Sequence, residues 1–123
     1  FEAIWMHKYN GKYYLSYSAN SGEIKYCISD NPLGPFVYQG VILPKMNSGT
    51  NHHSIVQYRG NWYIFYHNAD LYFSNHPEVK PKFGWGHQGS PHPFRRSICC
   101  DRLYYNEDGS IKPVIPTRTG PLQ

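Results

Sequence analysis

Tyr9-Asn10-Gly11-Lys12-Tyr13-Tyr14-Leu15-Ser16-Tyr17 lies over Tyr58-Arg59-Gly60-Asn61-Trp62-Tyr63-Ile64-Phe65-Tyr66 at an offset of 49 residues, from Gly11 to Gly60. Tyr9, Gly11, Tyr14 and Tyr17 recur as Tyr58, Gly60, Tyr63 and Tyr66, while Tyr13 faces Trp62 and Leu15 faces Ile64. Identity and apolar character are both kept, so the chain reads as a repeat. Each copy spells strand, tight turn, strand. Asn10-Gly11 suits a type I′ turn, whose two central residues both need φ > 0, and Arg59-Gly60 is a weaker form of the same signal.

Beyond the hairpins both units continue as β-structure. The first runs through Ile24–Ser29, a turn at Asp30–Pro35, and Phe36–Leu43; the second runs through Arg96–Tyr105, a turn at Asn106–Gly109, and Ile111–Ile115. The expectation is all-β: two four-stranded antiparallel blades, over residues 1–45 and 49–116, with an insertion at residues 68–94. A blade buries both faces against neighbours, so two blades leave two flat apolar faces. The chain is therefore expected to be incomplete by itself and to meet further copies or a complementary propeller fragment.

Composition narrows the alternatives. At 123 residues there is room for one small domain, and 17% aromatic against 16% charged residues is the wrong balance for a disordered tail. Twelve Tyr, eleven Gly and ten Pro count against a helical bundle, and no run of about 20 apolar residues is present to cross a membrane. The net charge of +4 is dispersed along the chain apart from Arg95-Arg96, which argues against a nucleic-acid partner. Cys27, Cys99 and Cys100 are odd in number and lack CxxC spacing, so they are read as small strand residues. The chain opens at Phe1 rather than at Met, so its natural start is expected to lie upstream, and the sequence leaves localisation open.

Three further motifs sit on this frame: Glu2-Ala3-Ile4-Trp5-Met6-His7-Lys8 leading into the first hairpin, Gly49-Thr50-Asn51-His52-His53-Ser54-Ile55-Val56 leading into the second, and Arg95-Arg96-Ser97-Ile98-Cys99-Cys100 followed by Leu103-Tyr104-Tyr105-Asn106-Glu107-Asp108-Gly109. Together they resemble glycoside hydrolase family 43, the inverting β-xylosidases, α-L-arabinofuranosidases and arabinanases built on a five-bladed β-propeller. The likeness is to the last two blades, and the family's usual E-G-P-W-M-H-K reads here as Glu2 to Lys8. It implies a hydrolase acting on xylose- or arabinose-containing plant polysaccharides or oligosaccharides. For such a family a secreted or periplasmic setting is the expectation.

The resemblance makes Glu2 the general acid. The general base and the Asp that tunes the acid belong to blades preceding Phe1, and one of the two carboxyl groups that an inverting glycosidase requires is therefore absent from this chain. Asp70 in the insertion is the candidate for a recruited base. The repeat places Glu2 opposite Asn51, so Glu2 and the His pair both open the innermost strand of a blade, at the mouth of the central channel. Ile4 and Trp5 beside Glu2 are expected to desolvate it and raise its pKa towards that of an acid catalyst. Of the adjacent pair, His52 is the first candidate to contact a calcium ion at the propeller axis, and His53 is the alternative and a substrate-binding candidate. A hydrogen-bonded His capping the channel without metal stands beside that reading, because calcium prefers oxygen ligands. Arg96 aligns with the family's Arg that approaches the substrate or the acid, while Arg95 is expected to point outward. Trp5, Trp62, Phe83, Trp85 and His87 are candidate sugar platforms; Trp62 is expected in the core, Trp5 at the pocket wall, and Trp85 on a ligand-facing rim. Without the family motif, Glu2 would read as an exposed strand-start residue and the arginines as a surface pair. A non-catalytic carbohydrate-binding or assembly fragment is the competing function.

Overall fold

The computed structural model describes residues 2–78 and 95–121. Strands β1 (Glu2–Tyr9), β2 (Lys12–Ser18), β3 (Ile24–Ser29) and β4 (Val37–Leu43) form one antiparallel sheet in chain order. Strands β5 (Ser54–Tyr58), β6 (Asn61–Asn68) and β7 (Ser97–Leu103) form a second, also in chain order, with the short helix α1 (Asp70–Asn75) between β6 and β7. Both hairpin turns have the same geometry: φ is +50° at Asn10 and +80° at Gly11, and +50° at Arg59 and +81° at Gly60. Arg59 thus accepts the left-handed conformation that Asn adopts more readily, and its guanidinium lies 5.2 Å over the Tyr58 ring.

The second unit departs from expectation at its end. Ile111–Ile115 is not a fourth strand; it makes one isolated bridge, Ile111 to Tyr105, and among the described residues the sheet has three strands. Pro113 has no N–H to donate and Pro116 follows, so a continuous ladder is ruled out. The segment instead crosses to the first sheet, where Val114 N–H donates to Ile42 O at 2.7 Å and Ile111 N–H to the Tyr26 hydroxyl at 2.8 Å. The Tyr14 hydroxyl donates in turn to Gly109 O at 2.6 Å. Gly109 has φ +89°, and a Cβ there would lie 3.1 Å from the Tyr14 hydroxyl. The failed strand is a staple between the two sheets.

Between the sheets lies one core. Tyr14, Ile24, Tyr26, Ile42 and Leu43 of the first sheet pack with Ile55, Ile64, Tyr66 and Leu103 of the second and with Ile111 and Val114. An aromatic cluster lines one side: Tyr9 stacks on Tyr105 at 3.7 Å, His7 on Tyr14 at 4.8 Å, and Trp62, partly buried against the core as expected, meets Tyr9 edge-on. Buried Asp101 accepts from the Tyr66 hydroxyl at 2.6 Å and from both the N–H and the hydroxyl of Thr117, which ties the C-terminal segment down. All three cysteines are free, and burial raises the pKa of each thiol. Among the described residues no helix is long and apolar enough to cross a membrane.

Candidate active site

Strands β1 and β5 come side by side, joined where the Trp5 indole N–H donates to Ile55 O at 3.1 Å. Their starting ends therefore share one end of the molecule. Glu2 opens β1 opposite Ser18, and the register breaks between Glu2 and Trp5. Within that break Ala3 has φ +57°, a left-handed conformation that costs a residue with a Cβ on the order of 1 kcal/mol. A bulge of this kind re-aims the side chain beside it. The Glu2 carboxylate is 60% exposed, and Ile4 and Trp5 are exposed as well, so within the described residues no apolar wall closes over it. This corrects the expectation of desolvation by those two neighbours: with an irregular strand start at the rim of the sheet, Ile4 faces outward.

His52 comes to Glu2 from the loop before β5, its Nε2 lying 3.8 Å from Glu2 Oε2. The residues leading to it carry no sheet ladder, and side chains hold them instead. The buried Asn51 side chain donates to His67 O at 2.8 Å and accepts from His67 N–H at 3.1 Å, imitating one more rung between β5 and β6. His67, near the end of β6, then accepts the His52 N–H on Nε2 at 3.0 Å, while its Nδ1 lies 2.7 Å from Ser48 Oγ. The His67 pKa is pushed down to about 4, first by burial and then by the positive charge of Arg96. Asn51 entered the sequence reading only as the counterpart of Glu2, and His67 did not enter it. The available signal was His67-Asn68 ending the repeat strand at the same level as Asn51-His52.

Adjacent His53 turns the other way. It is buried between the sheets with Nε2 2.6 Å from Ser16 Oγ, its Nδ1 has no hydrogen-bond partner among the described residues, and its pKa is pushed down to about 4 by burial first and by His52 second. The structure thus brings Glu2 and His52 together and turns His53 inward, where Ser16 Oγ meets both His53 Nε2 and Trp5 O. Exposed Arg96 precedes β7, close enough for its charge to act on His67; Arg95 lies 5.4 Å over the Tyr72 ring. Trp85, with Phe83 and His87, lies outside the described residues. Asp70 begins α1 and is held by Asn47 at 2.8 Å and Arg118 at 3.1 Å, beside a cleft of about 500 Å³ that none of Glu2, Trp5 and His52 lines.

Chemically, the exposed end presents one carboxyl with one imidazole beside it. Among the described residues no group of three or more His, Cys, Asp or Glu could hold a metal, and one carboxylate with one imidazole falls far short of the six to eight oxygens of a calcium shell. By themselves, these residues do not make a calcium site.

Known proteins share the sequence and the fold over most of this chain. The chain is 59% identical over 115 residues to a β-xylosidase of Xylanibacter ruminicola, covering 93% of this chain and 31% of that protein. It is 40% identical to xylosidase/arabinosidase 43A of Humicola insolens over 114 residues, which is 90% of this chain and 29% of the relative. A β-xylosidase/α-arabinofuranosidase from a compost microbial metagenome, solved with xylotriose in a calcium-free form, superposes with a TM-score of 0.74 at 45% identity over 93% of this chain and 30% of its own. The GH43_1 enzyme of Xanthomonas citri, solved with xylotriose, gives 0.77 at 38% identity over 94% of this chain and 30% of its own. The chain spans about a third or less of the relatives it matches. Its two sheets match part of a family 43 propeller, and the family pattern runs over residues 1–111, from the strand that carries Glu2 to the bridge at Ile111; the chain belongs to the glycosyl hydrolases family 43.

Proposed function

We propose that this chain carries the general-acid portion of an inverting glycosidase acting on xylose- or arabinose-containing polysaccharides or oligosaccharides, and that it corresponds to the last two blades of the propeller. One observation supports the reading: Glu2, the carboxyl of the family motif, opens the first strand of its sheet with His52, from the loop before the first strand of the other, 3.8 Å away. In the reaction Glu2 protonates the leaving glycosidic oxygen, while a carboxylate on the opposite face of the sugar activates water. That second carboxylate comes from blades outside this chain. The half-exposed ring of Trp5 offers apolar surface to the sugar, Arg96 approaches the substrate or Glu2, and Trp85 extends the rim. A calcium ion at the propeller axis would find one imidazole here, His52, with its oxygen ligands coming from water and other blades; no step passes through it. The two open sheet faces meet further blades, from a complementary fragment or from other copies of the chain.

The test is Glu2→Gln in a form that has a complete site. Turnover of unactivated xylo- or arabino-oligosaccharides falls by about 10²–10⁴-fold, and turnover of an aryl glycoside with a good leaving group falls less. Equal losses on both substrates remove Glu2 from the acid role. The 123 residues alone show weak or no hydrolysis and retain sugar binding; robust hydrolysis that disappears in Asp70→Asn would make Asp70 the base instead.

A further inference from the structure

We propose that His67 is a positioning residue for the acid: its ring fixes the backbone of His52 and thereby sets the imidazole that faces Glu2. The inference rests on the reading of Glu2 as the acid, but its geometry is separate. His67 is buried, and both of its ring nitrogens are engaged. The His52 N–H can only donate, so the Nε2 lone pair 3.0 Å away must accept it, and the ring proton sits on Nδ1. Nδ1–H then donates to Ser48 Oγ at 2.7 Å, which leaves the Ser48 hydroxyl to donate to His67 O at 3.3 Å. The opposite tautomer would satisfy Thr50 O, 3.1 Å from Nε2, but would point one N–H at another and strand the His52 donor. An acceptor keeps a second lone pair for water, whereas a stranded buried donor loses its bond outright, so the first tautomer prevails.

The segment so held has no other register. β5 begins only at Ser54, and residues 51–53 belong to no strand. Asn51 clamps the His67 backbone from one side, and the His67 ring takes the next N–H in the chain from the other. The His52 ring lies 6.3 Å from that of His67, with the planes 28° apart, and reaches from there to Glu2. Among the described residues no hydrogen bond or ion pair joins His67 to Glu2, so its influence runs through His52.

The test compares His67→Phe, which keeps a ring and loses the acceptor, with His67→Gln, whose Oε1 can reach the place of Nε2. In nuclear magnetic resonance of the chain, His67→Phe accelerates hydrogen exchange at the His52 amide by about tenfold, as expected for one lost hydrogen bond, and removes the nuclear Overhauser contact between the His52 ring and the Glu2 side chain. His67→Gln restores both. Unchanged His52 exchange in His67→Phe, or loss in His67→Gln equal to that in His67→Phe, overturns the proposal. Should His67→Phe fail to fold, Ser48→Ala removes the partner that fixes the tautomer and is judged by the same two signals. These signals report where Glu2 and His52 stand whatever Glu2 does chemically, so failure of the acid reading in the Glu2→Gln comparison is distinguishable from failure here.

Discussion

The two repeat units have matching hairpins and opposite burial. In the first, Tyr14 is 1% exposed and Ser16 fully buried, while Leu15 and Tyr17 are only partly covered. In the second, the counterpart of Leu15, Ile64, is 0% exposed and that of Tyr17, Tyr66, is buried, while the counterparts of Tyr14 and Ser16 are the half-buried Tyr63 and the 40% exposed Phe65. Alternate residues of a strand point to opposite faces, so a repeat with one register presents one face to the blade behind and the other to the blade ahead. The first unit meets its neighbour with its forward face and the second with its rear face. Apolar residues stay exposed on the outer faces, Ile4, Met6 and Tyr38 on one side and Val56, Phe65 and Ile98 on the other.

Among single substitutions, the largest effect that could break this comparison is on stability. Tyr14→Ala removes a fully buried ring and the hydrogen bond to Gly109 and should cost about 3–5 kcal/mol, whereas Tyr63→Ala at the repeat-equivalent position should cost well under half of that. Urea unfolding of the two variants measures both; equal losses would mean that the two faces are not used oppositely.

A change of pH acts on the same seam through several groups at once. His7, His53 and His67 all have pKa values pushed down to about 4, with burial as the first cause in each, and His7 and His53 lie between the sheets. In the unfolded chain these groups titrate near 6.5, so below that pH the unfolded state binds more protons than the folded one. Stability is complete above about pH 6.5 and is lost as the pH falls towards 4, by roughly 1 kcal/mol per pH unit for each fully buried imidazole. Urea midpoints measured from pH 7.5 to 4 should trace that fall, and His7→Phe should flatten it. An unchanged slope would place the acid sensitivity away from the seam between the units.

The open faces give a smaller, sharper test. Phe65→Lys or Ile98→Lys puts a charge on the uncovered side of the second sheet and should change the urea midpoint of the isolated chain by less than about 0.5 kcal/mol. The same change should weaken self-association seen by light scattering, since a specific interface of more than about 1,000 Å² would have to bury that charge. Lost folding with unchanged association would reverse the assignment of faces.

The smallest effect concerns the strand starts. Ala3 at φ +57° has no counterpart of the same kind before β5, so Ala3→Gly should stabilise the chain by up to about 1 kcal/mol, read as a small rise in Tm. A fall in Tm would mean that Ala3 contributes packing that outweighs its strain.

How far the sequence reached can be judged from particular residues. Asn10-Gly11 and Arg59-Gly60 announced both hairpins because a type I′ turn depends on two adjacent residues alone. The strands read from alternation appear as β1 to β7, since a period of two is local. Ile111–Ile115 alternates equally well yet is no strand: its best partner, Ile42, belongs to the other sheet, and Pro113 interrupts any ladder. The six-residue helix α1 carries no buried residue and gave no periodic signal. At the candidate site, Glu2 and His52 were legible because their motifs open the repeated strands. His67 was not, because an imidazole acquires its role only from what surrounds it.

By itself, the sequence determined the repeat, the hairpins, the all-β class and the resemblance that singled out Glu2, all of which depend on neighbours in the chain or on motif order. Tertiary structure alone decided which face of each sheet is buried, that His53 turns inward while His52 turns to Glu2, and that Asn51 and His67 hold the loop between them. The physical reason is that a hydrogen bond such as that from His52 N–H to His67 Nε2 joins residues 15 apart at 3.0 Å, and nothing in the spacing encodes it until β5 and β6 have paired.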